Sequence, residues 1–379
     1  MLVFATVAAL SLSHEWGMSY AELIPYATPG FVAFGVCAVP AGWLADKWSR
    51  KAMMLIFYIG IGLSSIFTAL AETPLQIAIG LLSIGLFAAI YHPVGLALVV
   101  QGRENTGVPL AINGILGNMG VACAALISGF LIDHAGWRSA FVWPGVVSIA
   151  TGIAYAGLLY ADRGEIAVEA YLRVKAKKAP DTIAMDRRLI ARVFVIIFFS
   201  TAVGGLVFQS TTFALPKVFD ERLAELAVSA TLVGWYAFVV FAIAAFGQLV
   251  VGYLVDHYSV RSVFALVVAL QVIFFASMLG STGWSALGVS IAFMLVVFGQ
   301  IPINDVLIGR ITRTEWRSRV YAFRYIVSFS VMASSVPLIA WIHARWGFDS
   351  LFTVLSAAAA CILTSVLMLP RALSARAPT

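Results

Sequence analysis

The sequence is short of charge, of cysteine and of histidine. Only 11% of its 379 residues are Asp, Glu, Lys or Arg, where a soluble globular domain carries about 25%. A soluble fold this poor in charge would have no polar surface to show water, so lipid is the solvent for most of the chain. The three cysteines, Cys37, Cys123 and Cys361, stand singly in apolar runs. They have neither the spacing of a metal site nor an extracellular pairing pattern. There is no H-E-x-x-H, no G-x-S-x-G and no phosphate-binding loop, so an intramembrane hydrolase and a nucleotide-driven pump lack their chemistry. Neither a metal nor a cofactor is expected, and an enzyme is not. The net charge is +6, but the basic residues border apolar segments. Membrane topology explains them, and no nucleic-acid partner is expected.

What is present is apolar: 61% of residues are hydrophobic. A membrane-spanning helix takes about 20 such residues, and lipid obliges each segment to satisfy its backbone internally. The pattern predicts spans at 1–12, 23–44, 52–71, 74–100, 107–132, 138–160, 190–215, 227–254, 261–280, 284–309, 319–342 and 349–369. The fold class is therefore an all-α polytopic membrane protein with twelve transmembrane helices. The first span is too short to cross. It lacks the charged start and the cleavage motif of a signal peptide, so it reads as a truncated helix whose beginning lies upstream of Met1. The polar stretch 161–189 is expected as a cytoplasmic central loop between two six-helix halves, 1–160 and 190–379.

Lysine and arginine fix the expected orientation. With the N-terminus in the cytoplasm, 19 of the 24 fall on inner connections. Both termini are then cytoplasmic, in a bacterial-type inner membrane, and the chain is expected to work as a monomer in the bilayer.

One charged stretch is written twice. Residues 42–51 read GWLADKWSRK, and residues 252–261 read GYLVDHYSVR. Gly42 aligns with Gly252, Asp46 with Asp256, Ser49 with Ser259 and Lys51 with Arg261. A second pair follows: GFLIDHAGWRSAF at 129–141 aligns with AWIHARWGFDSLF at 340–352, setting Gly136 against Gly347 and Ser139 against Ser350. Two six-span halves in the same orientation imply parallel repeats about an axis along the membrane normal, with substrate bound between them near the midplane.

GWLADKWSRK resembles the signature loop of the major facilitator superfamily (MFS), G-x-L-a-D-[RK]-x-G-[RK]-[RK]. Gly42, Leu44, Asp46, Lys47, Arg50 and Lys51 match, and Ser49 stands where glycine is usual. The resemblance implies the MFS fold and a secondary active transporter working by alternating access. It also implies that the spans numbered 1, 4, 7 and 10 line the cavity. AIYHPVGLAL around His92 and GILGNMG around Asn118 are similar to the fosmidomycin-resistance branch, which implies proton-coupled efflux by antiport. Uptake by symport, or facilitated diffusion, is the alternative. The partners are then a small organic molecule and protons.

The site residues follow. A gate at the motif is expected from Gly42, Asp46, Lys47, Arg50 and Lys51, with Gly252, Asp256 and Arg261 in the second copy. Gly42 would admit a neighbouring helix, and Asp46 would accept from backbone N–H groups at a helix N-terminus; a plain headgroup anchor is the alternative. Ionisable groups inside a membrane are costly and point to function. His92, with a reference pKa near 6.5, is a candidate for proton exchange or substrate contact, or else for packing. Asp305 and Arg324 are candidates for a pair across neighbouring helices. Tyr91, Asn118, Gln209, Gln300 and Asn304 are candidates for the cavity wall. The glycines beside Asn118 would also allow close helix approach.

Overall fold

The computed structural model describes residues 2–100, 107–161, 187–311 and 314–369. Within them every regular element is a helix. In chain order these are α1 (Leu2–Glu15), α2 (Tyr20–Lys47), α3 (Arg50–Ala69), α4 (Pro74–Val99), α5 (Gly107–Ala135), α6 (Ser139–Ala161), α7 (Arg187–Arg222), α8 (Ala230–His257), α9 (Val260–Ser277) and α10 (Gly283–Ile311). The last run, Thr314–Leu367, is broken at Gly347, whose φ of 71° lies outside the helical range. We number the part before the break α11 and the part after it α12. The apolar stretch Ile326–Leu367 alone has 42 residues. That is roughly 63 Å of helix, twice the ~30 Å of hydrocarbon, so it makes two crossings. Gly136, aligned with Gly347 by the repeat, ends α5 with a φ of 72°. Both copies of this second repeat thus turn on a glycine of positive φ, a backbone conformation that residues with a Cβ rarely adopt.

The helices start where the sequence places polar caps. Ser49 accepts from Ala52 N at 3.2 Å and begins α3. Its repeat mate Ser259 accepts from Ser262 N at 3.0 Å and begins α9. This gives the departure from the family glycine at position 49 a local reason, since a serine N-cap satisfies a donor the first turn leaves open. Ser19 with Glu22, and Thr73 with Gln76, form reciprocal capping boxes at α2 and α4. The structure corrects one boundary: the second span begins at Tyr20 rather than 23, because the Ser19 cap lies upstream of the apolar run.

Within the halves, α3 packs on α6, α2 on α4, α7 on α11, α8 on α10 and α9 on α12. Between the halves the main seams are α5 against α8 and α2 against α11. Phenylalanines fill the second half: Phe213, Phe219, Phe241, Phe264, Phe275, Phe293 and Phe298 are fully buried. Large apolar side chains also face outward, among them Val147, Leu158 and Val195. Such a surface suits a protein solvated by lipid.

Candidate functional site

The centre of the molecule carries an aromatic cluster built around a histidine. In α4 the regular helix gives way to a π-turn over Tyr91–Gly95, which contains His92 and Pro93. Proline removes a backbone donor, and single π-turns recur at functional positions. The His92 ring lies 5.5 Å from Phe34 of α2 and 5.6 Å from Phe329 of α11, centroid to centroid. Phe34 and Phe329 are 4.6 Å apart. His92 and Phe34 belong to the first half and Phe329 to the second, so this cluster joins the halves. Beside it runs a groove of about 600 Å³, lined by Thr28, Phe31 and Gly35 of α2 and by Phe329, Ser330 and Ser334 of α11.

Tyr91 turns the other way. Its hydroxyl donates to Asn113 Oδ1 of α5 at 2.6 Å, and its ring faces Phe57 of α3. It ties α4 to its own half.

The motif loop reaches this turn from below. A Cβ on Gly42 would sit 3.1 Å from Pro93 Cβ, so the expected close approach at Gly42 is to the histidine turn itself. Among the described residues the contact of Asp46 is with the first residue of α3. It accepts from Arg50 four residues on, at 2.7 Å, and both side chains are exposed. Lys47 lies over the Trp43 ring at 4.4 Å. Asp256 is exposed, Gly252 has nothing within 4 Å of where a Cβ would stand, and Arg261 donates to Leu367 O at the end of α12. Among the described residues the contacts of Asp46, Lys47 and Arg261 stay within their own half.

The amides expected in the wall are buried. Gln209, Gln300 and Asn304 are all 5% exposed or less. Gln300 Oε1 accepts from Gln271 Nε2 at 2.8 Å, and Gln271 also donates to Val296 O. Ser200 of α7 donates to Asn304 Oδ1 of α10 at 3.4 Å. The Nε2 groups of Gln209 and Gln300 have no partner. A buried donor without a partner among the described residues is costly, and Gln300 Nε2 packs against Gly204 of α7. Gln271 was not among the sequence candidates. It is a polar residue inside an apolar α9, and that anomaly was the signal that could have found it.

Asn118 is half-buried, but Gly114, Gly117 and Gly120 around it have nothing within 4 Å of a built Cβ. This corrects the expectation of a close helix approach there. The side chain of Asp305 and the central loop over 162–186 lie outside the described residues. The expected Asp305–Arg324 pair is therefore not described; Arg324 itself is half-buried in α11.

At the end opposite the motif the halves are fastened. Asp133 of α5 accepts from the backbone N–H of Ala230 at 3.2 Å and of Thr231 at 2.7 Å, the first residues of α8, and from the Thr231 hydroxyl. Built Cβ atoms on Gly129 and Gly234 would lie 2.2 Å from Ala230 O and 2.6 Å from Ala125 O. At the other seam, Tyr20 of α2 meets the His343 ring of α11 at 5.7 Å, and His343 Nε2 lies 3.0 Å from Glu221 Oε1 at the end of α7. Sequence reasoning missed all of these, because each joins residues about a hundred or more positions apart.

Comparison with known proteins adds the following. A family model described as Major Facilitator Superfamily matches residues 1–224. The 4-hydroxybenzoate transporter PcaK of Pseudomonas aeruginosa is 25% identical over 404 residues, covering 95% of this chain and 86% of that protein. The gallate transporter of Pseudomonas putida is 32% identical over 144 residues, 38% of this chain. The tetracenomycin C resistance and export protein of Streptomyces glaucescens is 26% identical over 151 residues, 39% of this chain. The chain spans about a third or less of the length of these last two, 32% and 28%. A crystal structure of a D-xylose–proton symporter superposes with a TM-score of 0.68 at 14% identity, over 97% of this chain and 94% of that one.

Proposed function

The chain belongs to the Major Facilitator Superfamily, and we propose that, within this family of membrane transporters of small organic molecules, it carries a small aromatic carboxylate together with protons. The observation that carries this reading is the His92 turn packed against both Phe34 and Phe329, which touch each other. Phenyl rings prefer offset or edge-on aromatic partners. An imidazole that takes up a proton becomes a cation able to pair with a carboxylate. One residue then couples the two cargoes: the proton makes the site attractive to the anion, and the anion retains the proton. The unpartnered amides of Gln209 and Gln300 supply donors for ring hydroxyls. The similarity to proteins named for 4-hydroxybenzoate and gallate, both hydroxylated aromatic acids, supports the same class.

In this reading the two six-helix halves, 1–160 and 190–379, rock about the central site, with 161–189 as a cytoplasmic tether. Both termini lie in the cytoplasm of a bacterial inner membrane, and one chain is the working unit. The motif ends at Asp46 and Asp256 form the cytoplasmic gate. Transport is uptake by symport.

A second reading, export by proton antiport, is favoured by the similarity to a named export protein and by the resemblance of the His92 segment to an exporter branch. Purified protein in liposomes decides between them. With an acidic exterior, labelled 4-hydroxybenzoate should accumulate inside and collapse on adding a protonophore. His92→Gln should abolish accumulation. Accumulation only when protein orientation or gradient is reversed would replace uptake by export. Failure of hydroxylated benzoates in both directions would sink the aromatic-carboxylate reading.

A further inference from the structure

The seam between α5 and α8 is tight at one end. Near the end opposite the motif, Gly129 lies against Ala230 O, and Gly234 against Ala125 O and Leu126 Cα. Towards the motif end, Gly114 of the same α5 has nothing in reach. The backbone contacts at Gly129 and Gly234 pin the two helices. The pin is capped by a charge. The first turn of α8 offers backbone N–H groups with no partner inside the helix. Leu232 N is taken by the helix's own cap, Ser229, at 3.2 Å. Ala230 N and Thr231 N are taken by Asp133, which comes from the other half. A carboxylate at this position also meets the positive end of the helix dipole.

We propose that Asp133 is the latch that holds the two halves closed at the end opposite the motif, by capping α8 across the seam, and that its release is required to open that end. The proposal rests on the alternating-access part of the function above, and not on the substrate. Two features argue that this is a state-dependent contact rather than plain packing. The cap is supplied in trans, so the N–H groups of α8 lose it when the halves part. It is also exposed, so water can replace it in the open state without stranding a buried charge. The aligned position in the second half is Ala344, so the pseudo-symmetric α2–α11 seam has no charged counterpart there. At that seam Tyr20 and His343 meet by ring contact instead.

The test reads both ends of the whole chain in lipid. Spin labels are placed on exposed positions, Leu70→Cys with Val228→Cys at the latched end and Trp48→Cys with Tyr258→Cys at the motif end. The three native cysteines are replaced. Distances are measured by electron–electron resonance without substrate, so a failed transport assay would leave this test standing. Asp133→Ala removes an N-cap contact worth about a fivefold change in population. The long-distance fraction at the latched end should rise about fivefold, while distances at the motif end shorten. Gly234→Ala should act in the same direction, because its Cβ would press on the backbone of α5. Unchanged distances in both variants would overturn the latch. Lengthening at both ends together would also overturn it, since that marks general loosening rather than a shift between states.

Discussion

Phe329→Leu tests the aromatic site most directly. Phe329 is 7% exposed, meets Phe34 edge-on at 4.6 Å and lies 5.6 Å from His92. Leucine keeps most of the volume and removes the π-face. Burial itself changes little, because hydrocarbon is about as apolar as the phenyl wall it would replace. What is lost is the aromatic pairing, about 0.5–1.5 kcal/mol for each partner. A substrate ring occupying the groove beside Phe329 forfeits one such pair. At about 1 kcal/mol that is roughly a fivefold rise in KM for 4-hydroxybenzoate. An aliphatic carboxylate of similar size, if carried at all, has no pair to lose, and its KM should not move. The assay is initial-rate uptake into proteoliposomes over a range of concentrations of each acid. An unchanged KM for the aromatic acid, or an equal change for both acids, would refute a ring contact at Phe329.

Two further substitutions follow from the packing. Gly85→Ala places a Cβ 2.0 Å from Gly30 O of α2; the obstacle is backbone, so overpacking of about 1–3 kcal/mol is expected, read as a lower melting temperature in detergent and less folded protein. Asp46→Asn breaks an exposed pair with Arg50; such pairs are worth less than about 1 kcal/mol, so thermal stability should hold while transport falls, and a stability loss as large as that of Gly85→Ala would show that Asp46 has a structural role in this state.

Much of this was legible in the sequence because the chemistry is local. Apolar runs of spanning length gave the helices, and serines at 49 and 259 gave their caps. The aligned glycines at 136 and 347 both occupy a backbone region that other residues avoid. Gly42 was expected to admit a helix, and the neighbour is Pro93. The rest depends on rotation and tilt, which periodicity does not report in a chain that is hydrophobic all round. Helix α5 shows this best. Its glycines beside Asn118 read as a place of close helix approach. The structure puts that approach at Gly129, which lies against α8, while Gly114, Gly117 and Gly120 have nothing within 4 Å of a built Cβ. The division follows from the angle between the halves, which no single helix encodes. Gln271 was passed over for the same reason, since nothing local says that its side chain turns towards Gln300.

The same rule explains both gates and why only one is engaged. A carboxylate over a helix N-terminus was expected at Asp46. The structure realises that contact at Asp133, at the other end of the molecule. Two rigid halves pivoting about a central contact cannot be closed at both ends. In the proposed cycle, holding α8 against α5 at Ala230 goes with divergence at the motif end, where Asp46 accepts from its neighbour Arg50. Each latch costs little to break, being exposed and partly replaced by water. That is what a carrier requires, because a gate held by many kcal/mol would trap one state and stop turnover. Substrate then needs to contribute only about as much as one cap to shift the balance between the two ends.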